Sequence, residues 1–559
     1  MSSFASQRRF ALATLSAAIL TAASQGASAQ LVCNEVTTET LNVIGVRVTS
    51  AQPVAATDAL PAYCSIDAVT AERVGLDGKD YAVRFQMNLP DDWNGDFVHQ
   101  FNGGLDGSVS AATGPLLGGN RERTALGLGY AVLSSDAGHS GNANPQAGLA
   151  GAAQFGFDPE ARSYYGYKTV EVLTPIAKQM IHNFYGNDPH YSYGVGCSNG
   201  GRHGMVAASR LGDAYDGFLL GAPGFNLPKA AVQLAMDVQL LDSINGDVRT
   251  SLTQEDRLLV ASAVLHACDS LDGLEDSLVS DTAACQATFN IDNYVCPVGE
   301  TENCVDPQKA EVLKGIYAGP KDRKGGSLYS DWSWDAGIAG SNWSFWRVNS
   351  GVPFWDNYPL IGIMGASGLA QVFETPPASV GPTGDDLVDY LLDFDVENGG
   401  RLINARHGKF HESAMAFMTP PDVDNPKMKK FQRGGGKMII FHGVSDPIFS
   451  YNDTVSWYNR LDENYKGEAN HFVKLYPVPG MNHCSGGPAT DDFDLFTRLV
   501  DWVESGDEPQ AVTASIAEGN GERFSDWSPV RTRKLCPYPQ VAVYDGSGDP
   551  ESAESFTCQ

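Results

Sequence analysis

The chain has 559 residues, and its 67 Asp and Glu outnumber its 38 Lys and Arg, which gives a formal net charge of −29. So acidic a protein lacks the basic surface that nucleic acids and anionic membranes require of a partner. Hydrophobic residues make up 42% of the chain and aromatic residues 10%, which is typical of a globular protein. The length allows about three or four domains of ordinary size.

The first 29 residues have the pattern of a secretory signal peptide. Arg8 and Arg9 precede a short apolar run that begins at Phe10, and Ala27-Ser28-Ala29 resembles a cleavage site. The apolar run is shorter than the roughly 20 residues that a membrane-spanning helix needs. A twin-arginine signal is the alternative to general secretion. The sequence therefore predicts an exported protein, either periplasmic or secreted.

All ten cysteines follow this segment, and an even number of cysteines in an exported protein indicates disulfides. Proximity along the chain favours four local pairs: Cys33–Cys64, Cys268–Cys285, Cys296–Cys304 and Cys536–Cys558. Cys197 and Cys484 then remain as a long-range pair, although the sequence alone leaves other pairings open. Zinc binding is the competing interpretation, and no CxxC or CxxH spacing supports it.

Strands and helices alternate in two parts of the chain, on either side of a long central segment. The predicted strands cover 81–88, 97–101, 191–196, 437–442 and 471–478, and the predicted helices cover 164–185, 201–211 and 452–461. This alternation is typical of an α/β fold with a mostly parallel sheet covered by helices.

The central segment differs in composition, since it is rich in Gly, Trp, Asn and Pro and contains four of the cysteines. We interpret it as an insertion into a single catalytic domain. The catalytic domain is predicted to comprise 30–224 and 425–559, and the insertion, 225–424, to form a lid domain.

A candidate nucleophile lies in Gly196-Cys197-Ser198-Asn199-Gly200, which matches the pattern G-x-S-x-G. In this pattern a serine occupies a sharp turn between a strand and a helix, and the glycines avoid collisions there. The predicted strand before Ser198 and the predicted helix after it supply that context. A purely structural glycine turn is the alternative.

A serine nucleophile requires a base and a carboxylate that orients the base, here in the chain order Ser, acid, His. His483 follows the last predicted strand, and Asp446 follows the strand before it. His442 and His203 are the rival bases, but the first lies within a strand and the second in the helix after the nucleophile. If Cys197 pairs with Cys484, the disulfide joins the residue before Ser198 to the residue after His483, and it holds nucleophile and base together.

These residues resemble a known family. Cys197-Ser198, Asp446 and His483-Cys484 are similar to the paired Cys-Ser, Asp and His-Cys signature of the tannase and feruloyl esterase family of α/β-hydrolases. The resemblance extends over nearly the whole chain, and the spacing of the local cysteine pairs matches it. It is closest to the branch that hydrolyses terephthalate monoesters. Further matching motifs are Trp93-Asn94-Gly95, Ser110-Ala111-Ala112-Thr113-Gly114, Gly221-Ala222-Pro223-Gly224, Trp334-Asp335-Ala336-Gly337 and Cys536-Pro537-Tyr538-Pro539-Gln540.

The resemblance implies further site residues. It places an oxyanion hole at the backbone N–H groups of Gly104 and Asn199, and it implies no organic cofactor. It also implies a structural Ca²⁺ in the acidic loop 269–278, where hard oxygen ligands surround a turn. The implied calcium ligands are the carboxylates of Asp269, Asp272 and Asp276 and the carbonyls of Leu274 and Leu278.

On the substrate side, the resemblance implies that Trp346 and Phe449 pack against an aromatic ring and that Leu227 forms an aliphatic wall. The terephthalate branch also has a lid arginine for a free carboxylate and a glutamate after the nucleophile. Here residues 348–373 contain no Arg or Lys, Leu360 stands near the arginine position, and Asn199 follows the nucleophile.

The combined prediction is a serine esterase that acts on small aromatic-acid esters, either terephthalate monoesters or hydroxycinnamate esters. A tannase that acts on gallate esters is the alternative enzyme. An exported binding protein that kept the fold without turnover is the alternative from another class. The sequence does not indicate an oligomeric state.

Overall fold

The computed structural model describes residues 31–119 and 122–559, so the predicted signal peptide lies outside the described residues. The main sheet has nine strands in the order β1-β2-β3-β5-β4-β6-β7-β8-β9. The strands are β1 (Val46–Val54), β2 (Tyr63–Val74), β3 (Asp80–Pro90), β4 (Phe97–Gln100), β5 (Ala131–Ser135), β6 (Ser192–Cys197), β7 (Gly217–Gly221), β8 (Lys437–Gly443) and β9 (Val473–Val478).

Six neighbouring strands of the sheet, β5, β4, β6, β7, β8 and β9, run parallel to one another. The other three, β1, β2 and β3, form antiparallel pairs at one side of the sheet. The α-helices of seven or more residues are α1 (Thr169–Tyr185), α2 (Asn199–Arg210), α3 (Leu227–Asn245), α4 (Gln254–Cys268), α5 (Thr282–Thr288), α6 (Pro307–Ala318), α7 (Ser341–Arg347), α8 (Gly384–Leu392), α9 (Val396–Asn404), α10 (Tyr451–Asn464) and α11 (Leu495–Glu504). The predicted α/β class with a mostly parallel sheet is therefore confirmed.

Two-residue periodicity explains why the sheet is covered on both faces. In β4, Phe97 packs into a cluster with Leu173 of α1, whereas its neighbour Val98 packs into a cluster with Phe496 of α11. Successive side chains of a strand point to opposite faces, so a buried parallel strand needs apolar residues at both positions.

Most predicted elements agree with the structure to within about two residues. The predicted helix over 164–185 begins with a π-helical turn, Tyr164–Lys168, before α1. The antiparallel strands β1 and β2 were not predicted.

Between β7 and β8 the chain leaves the main sheet for more than two hundred residues and forms α3 to α9. This arrangement agrees with an insertion, while the boundaries at 225 and 424 and the lid role stay predictions. After β9, two small hairpins form from β10 (Val512–Ser515) with β11 (Thr532–Leu535) and from β12 (Ala542–Tyr544) with β13 (Phe556–Cys558). Within the described ranges, no helix has the length and apolar character needed to cross a bilayer.

Candidate active site

Ser198 occupies a sharp turn between β6 and α2. Its backbone has φ 65° and ψ −127°, a conformation that a residue with a side chain rarely adopts. A Cβ atom on Gly200 would lie 2.4 Å from the carbonyl oxygen of Phe101, and one on Gly196 would lie 2.7 Å from the carbonyl carbon of Gly200. The two glycines are therefore sterically required, as the sequence pattern predicted.

His483 and Asp446 form a buried pair at the ends of neighbouring strands. The Nδ1 atom of His483 lies 2.7 Å from Oδ2 of Asp446. The other carboxylate oxygen, Oδ1, accepts hydrogen bonds from the backbone N–H groups of Ile448 and Phe449 at 2.7 and 3.0 Å. The acid loop after β8 thus holds the carboxylate in one orientation against the imidazole ring.

Asp446 is charged in spite of its burial. Burial opposes ionisation, but the charge of His483 and hydrogen bonds from His442 and His483 outweigh it, and together they lower the pKa of Asp446. A negative carboxylate beside Nδ1 favours the tautomer in which that nitrogen carries the proton. The opposite nitrogen, Nε2, is then available as a base.

The Nε2 atom of His483 is buried and has no hydrogen-bond partner in the part of the chain that the structure describes. Its ring lies edge-on to Trp346 and Phe449, with ring centroids 5.2 and 5.6 Å away. A buried imidazole nitrogen without a hydrogen-bond partner is free to accept a proton.

The two rival histidines have other buried partners. Nδ1 of His442 lies 2.9 Å from the hydroxyl of Thr454, and its Nε2 lies 2.9 Å from the carbonyl of Phe449 and 3.5 Å from Oδ2 of Asp446. His203 lies 3.2 Å from Asp106, and burial, followed by the charge of Arg202, lowers its pKa well below the usual value. Both are buried structural groups in this arrangement.

Cys197 and Cys484 form a disulfide with a Cα–Cα distance of 6.1 Å across 287 residues of sequence. It joins the residue before Ser198 to the residue after His483, as predicted. The predicted local pairs are confirmed as well, and they are Cys33–Cys64, Cys268–Cys285, Cys296–Cys304 and Cys536–Cys558.

Gly104 and Asn199, the predicted oxyanion residues, line one cavity together with Ser198. Asn199 is the first residue of α2, so its backbone N–H has no acceptor within the helix. Gly104 has φ 62°, and its carbonyl oxygen accepts a hydrogen bond from the hydroxyl of Tyr165 at 3.1 Å. Both residues thus border the cavity beside the serine.

A buried polar network that the sequence did not reveal lies beneath these residues. The side chain of Asn199 donates to Asp106 and accepts from Nε of Arg202 at 2.6 Å. Arg202 also donates to the carbonyls of Tyr165 and Gly166, at 3.0 and 2.7 Å. Burial raises the pKa of Asp106 well above its usual value, and the Arg202 charge and the Asn199 hydrogen bond offset part of that rise. The one sequence signal for this network was the position of Asp106, an acidic residue two positions after the predicted oxyanion residue Gly104.

The cavity that contains Ser198 is narrow, with a volume of about 40 Å³. Trp346, Phe449 and Leu227 all border it, at the positions that the sequence predicted. Other apolar side chains on its wall, which were not predicted, are Leu105, Ala231, Leu234, Ile361, Met364, Phe373 and Ile448.

The predicted calcium loop carries three acidic side chains in contact with neighbouring polar groups. Asp269 and Asp272 each accept two hydrogen bonds from nearby backbone N–H groups, and Asp276 pairs with Arg533. Burial, together with the charge of Asp276, raises the pKa of Asp272 to about 7. Mutual repulsion between buried carboxylates fits a hard cation. Among the described residues, no cluster of three or more His, Cys, Asp or Glu is arranged around a metal position.

Comparisons with known proteins identify the family. A family model of tannase and feruloyl esterase matches residues 68–559. The mono(2-hydroxyethyl) terephthalate hydrolase of Piscinibacter sakaiensis is 36% identical, over 91% of this chain and 87% of that protein. A probable feruloyl esterase of Arthroderma benhamiae is 28% identical, over 89% of this chain and 85% of that protein.

Solved structures agree on the fold. Feruloyl esterase B of Aspergillus oryzae superposes with a TM-score of 0.71 at 21% identity, covering 94% of this chain and 99% of that one. A tannin acyl hydrolase of Aspergillus niger superposes with a TM-score of 0.62 at 21% identity, covering 92% of each chain. The chain therefore belongs to the tannase and feruloyl esterase family, and it is a carboxylic ester hydrolase with an α/β-hydrolase core.

Proposed function

We propose that the protein is an exported serine esterase that hydrolyses esters of small aromatic acids through Ser198, His483 and Asp446. The observation that carries this proposal is the joint geometry of the three residues. Ser198 occupies a strained turn, His483 contacts Asp446 at 2.7 Å, and the Cys197–Cys484 disulfide ties the serine turn to the histidine loop.

In the proposed mechanism, Oγ of Ser198 attacks the ester carbonyl carbon while Nε2 of His483 takes the hydroxyl proton. The tetrahedral intermediate collapses, the alcohol leaves with that proton, and an acyl-serine remains. Water then attacks the acyl group by the same route and releases the acid. Asp446 orients the ring through Nδ1 and stabilises the imidazolium that forms in both steps.

The backbone N–H groups of Gly104 and Asn199 are proposed to hold the negative oxygen of the intermediate. Each donor of this kind contributes roughly 3 kcal/mol to the transition state in enzymes where one has been removed. The hydrogen bond from the N–H of Asp106 to the carbonyl of Gly103, at 3.1 Å, supports this role, because that carbonyl belongs to the same peptide as the N–H of Gly104.

The aromatic acyl group is proposed to lie between Trp346 and Phe449, with Leu227 as the aliphatic wall. Rings packed on rings prefer offset or edge-to-face arrangements, which these two side chains can offer from either side of the cavity. The relatives named for terephthalate monoesters and feruloyl esters support aromatic acids. Gallate esters are the alternative, and a binding protein without turnover is the alternative of another class.

Export is proposed from the pattern of residues 1–29 together with the disulfides. The structure contains five disulfides and no free cysteine in its described part. Disulfides persist in oxidising compartments and are rare in the cytosol. Fractionation of the producing cells tests the proposal, and an unprocessed protein confined to the cytosol would contradict it.

We also propose that Asp269, Asp272 and Asp276, with the carbonyls of Leu274 and Leu278, hold a structural Ca²⁺. The ion would neutralise the repulsion among the carboxylates and cross-link the loop. Elemental analysis of the purified protein should then find about one calcium per chain. Chelation should lower the melting temperature, while absence of calcium and an unchanged melting temperature would contradict the site.

Replacing the nucleophile tests the enzyme assignment directly. Ser198→Ala should abolish hydrolysis of 4-nitrophenyl acetate and of aromatic methyl esters while circular dichroism and the melting temperature stay close to those of the wild type. Retained activity would show that another group reacts. A wild type that hydrolyses neither class of ester would favour the binding-protein alternative.

A further inference from the structure

Most of the wall of the active-site cavity is apolar. Its polar side-chain groups are the hydroxyls of Ser198 and Tyr165, the amide of Asn199 and the indole N–H of Trp346, whose ring lies edge-on to His483. Of the described residues that line the cavity, none carries a formal charge. The remaining wall is formed by aliphatic, aromatic and thioether groups.

Helix α3 sets the direction of the cavity away from the serine. The backbone N–H of Gly224 donates to the carbonyl of Ser198 at 3.1 Å, and the N–H of Leu227 donates to the carbonyl of Gly224 at 3.0 Å, so α3 begins beside the nucleophile. Leu227, Ala231 and Leu234 share one helix face and all line the cavity. At 1.5 Å per residue, Leu234 lies about 10 Å further along the axis than Leu227.

The apolar wall of the cavity is formed by residues of α3 and of a π-helical segment, Ile361–Gly365. A Cβ atom on Gly365 would lie 3.0 Å from Cδ1 of Leu234, so the Leu234 side chain packs closely against this segment. Ile361 and Phe373 also line the cavity. The substituent of an aromatic ring that points away from Ser198 would therefore meet hydrocarbon.

Among the described residues, two arginines lie close to the cavity, and both have buried partners. The Arg347 side chain is only 1% exposed, its Nη1 lies 3.2 Å from Asp237, and its Nε donates to the carbonyl of Pro447 at 2.7 Å, while its Nη2 has no hydrogen-bond partner in the described part of the chain. Arg202 is fully buried and donates to Asn199 and to two backbone carbonyls. Turning either guanidinium towards a ligand would leave a buried carboxylate or carbonyl without its partner, at considerable cost.

Hydroxyl groups on the ring would also find few free hydrogen-bond partners on the cavity wall. The hydroxyl of Tyr165 is directed to the carbonyl of Gly104, and both polar atoms of the Asn199 side chain are hydrogen-bonded within the protein. A buried hydroxyl that leaves water without a new hydrogen bond loses free energy, and an ionised carboxylate loses far more.

We infer that the acyl side of this site selects uncharged acids with an apolar ring substituent, and that it rejects acids with a second, ionised carboxylate. This inference rests on the proposed function, because it assumes that the acyl group enters the cavity from Ser198. The inferred selectivity distinguishes this chain from a relative that is named for a terephthalate monoester. The second carboxylate of such an ester would be buried here without a cation.

A matched set of methyl esters tests the inference with the intact, wild-type protein. Methyl 4-methylbenzoate and monomethyl terephthalate have nearly the same shape and differ by a methyl group against a carboxylate. The ratio of their kcat/KM values should exceed about one hundred. Methyl 4-hydroxybenzoate should fall between the two, and methyl gallate should be slower than methyl 4-hydroxybenzoate.

The same pair of substituents can be compared without turnover. 4-Methylphenylboronic acid and 4-carboxyphenylboronic acid both add to a reactive serine, and the neutral compound should inhibit at a concentration at least tenfold lower. Equal kcat/KM values for the neutral and anionic esters, or equal inhibition by the two boronic acids, would overturn the inference.

The failure of the inference can be told apart from the failure of the proposed function. If Ser198→Ala keeps its activity, the proposed mechanism fails whatever the ester ratio is. If Ser198→Ala is inactive and the wild type hydrolyses monomethyl terephthalate as well as methyl 4-methylbenzoate, the mechanism stands and only the selectivity for uncharged acids is wrong.

Discussion

Nδ2 of Asn199 lies 2.5 Å from Oδ1 of Asp106, which ties the residue after Ser198 to the loop that carries Gly104. The two proposed oxyanion donors come from segments almost a hundred residues apart in sequence, so their relative position depends on contacts such as this one. Arg202 extends the connection by donating to Oδ1 of Asn199. The network is thus placed to position the donors without touching the substrate.

Removing Asp106 should lower catalysis more than substrate binding. Asp106→Ala is expected to reduce kcat by about 10- to 100-fold with little change in KM, because misplaced oxyanion donors weaken transition-state stabilisation first. Steady-state kinetics with one ester gives both constants. Asp106→Asn keeps the shape and an acceptor oxygen and should recover most of kcat.

Asp188 offers a matched control, since its side chain is 79% exposed and contacts only His182 among the ion pairs of the described residues. Asp188→Ala should retain wild-type kinetics. If Asp106→Ala raises KM and leaves kcat unchanged, the network acts on binding and the positioning role is wrong.

The sequence predicted those functional residues that a local sequence pattern identifies. Ser198, Asp446 and His483 each follow a strand within a recognisable turn, and the chain order of the three is shared by α/β-hydrolases. The network around Asp106 could not be predicted in the same way, because its members meet only after the early loop packs against α2. Apolar wall residues such as Leu234 were missed because they have the same helical spacing as ordinary core residues.

The same distinction applies to the fold. The strands β4, β6, β8 and β9 are short apolar runs between turns, which is the pattern of buried parallel strands. β1 (Val46–Val54) is an edge strand with exposed residues and a proline at position 53, so its sequence lacks the regular alternation that indicates a strand. The strand conformation of β1 therefore comes from its pairing with β2 and not from a pattern in its own sequence.

The Cys197–Cys484 disulfide should matter more for activity than the other disulfides. Cys197→Ala combined with Cys484→Ala is expected to lower stability by about 3 kcal/mol and to reduce kcat, because the serine turn and the histidine loop lose their covalent link. Chemical denaturation and kinetics on the same preparation measure both effects.

The pair Cys296–Cys304 provides the control, because it closes a loop of only 8 residues within the inserted segment. Its double alanine variant should lose less stability and keep kcat within about twofold. Equal kcat values for the two double variants would show that the disulfide beside Ser198 is an ordinary cross-link.

A methyl group at Gly200 should destroy the nucleophile turn. In Gly200→Ala the added Cβ would lie 2.4 Å from the carbonyl oxygen of Phe101 and 3.0 Å from that of Asn102, and such backbone atoms leave little room for adjustment. The expected loss is at least about 2 kcal/mol of stability, together with most of the activity. Gly521→Ala is the matched control, because a Cβ there meets no atom within 4 Å. Its stability should change by no more than about 0.5 kcal/mol.

The charge of Asp446 gives a prediction with a definite pH dependence. The folded protein lowers the pKa of this carboxyl below the value of about 3.9 expected in the unfolded chain. A group with a lowered folded-state pKa contributes its full stability above the unfolded-state value and loses it as the pH falls. The stability advantage of the wild type over Asp446→Asn should therefore be constant from about pH 7 to 5 and shrink towards pH 3.

Urea unfolding of both proteins at each pH measures this difference, and the kinetics of the same variant separate orientation from stability. Asp446→Asn should lower kcat roughly ten-thousandfold at pH 7, because an amide beside Nδ1 no longer favours the tautomer that leaves Nε2 free. A stability difference that stays constant down to pH 3 would mean that folding leaves the pKa of Asp446 unchanged, whereas one that grows as the pH falls would mean that Asp446 is protonated in the fold. The carboxylate could then not stabilise the imidazolium of His483, and the base would need another partner.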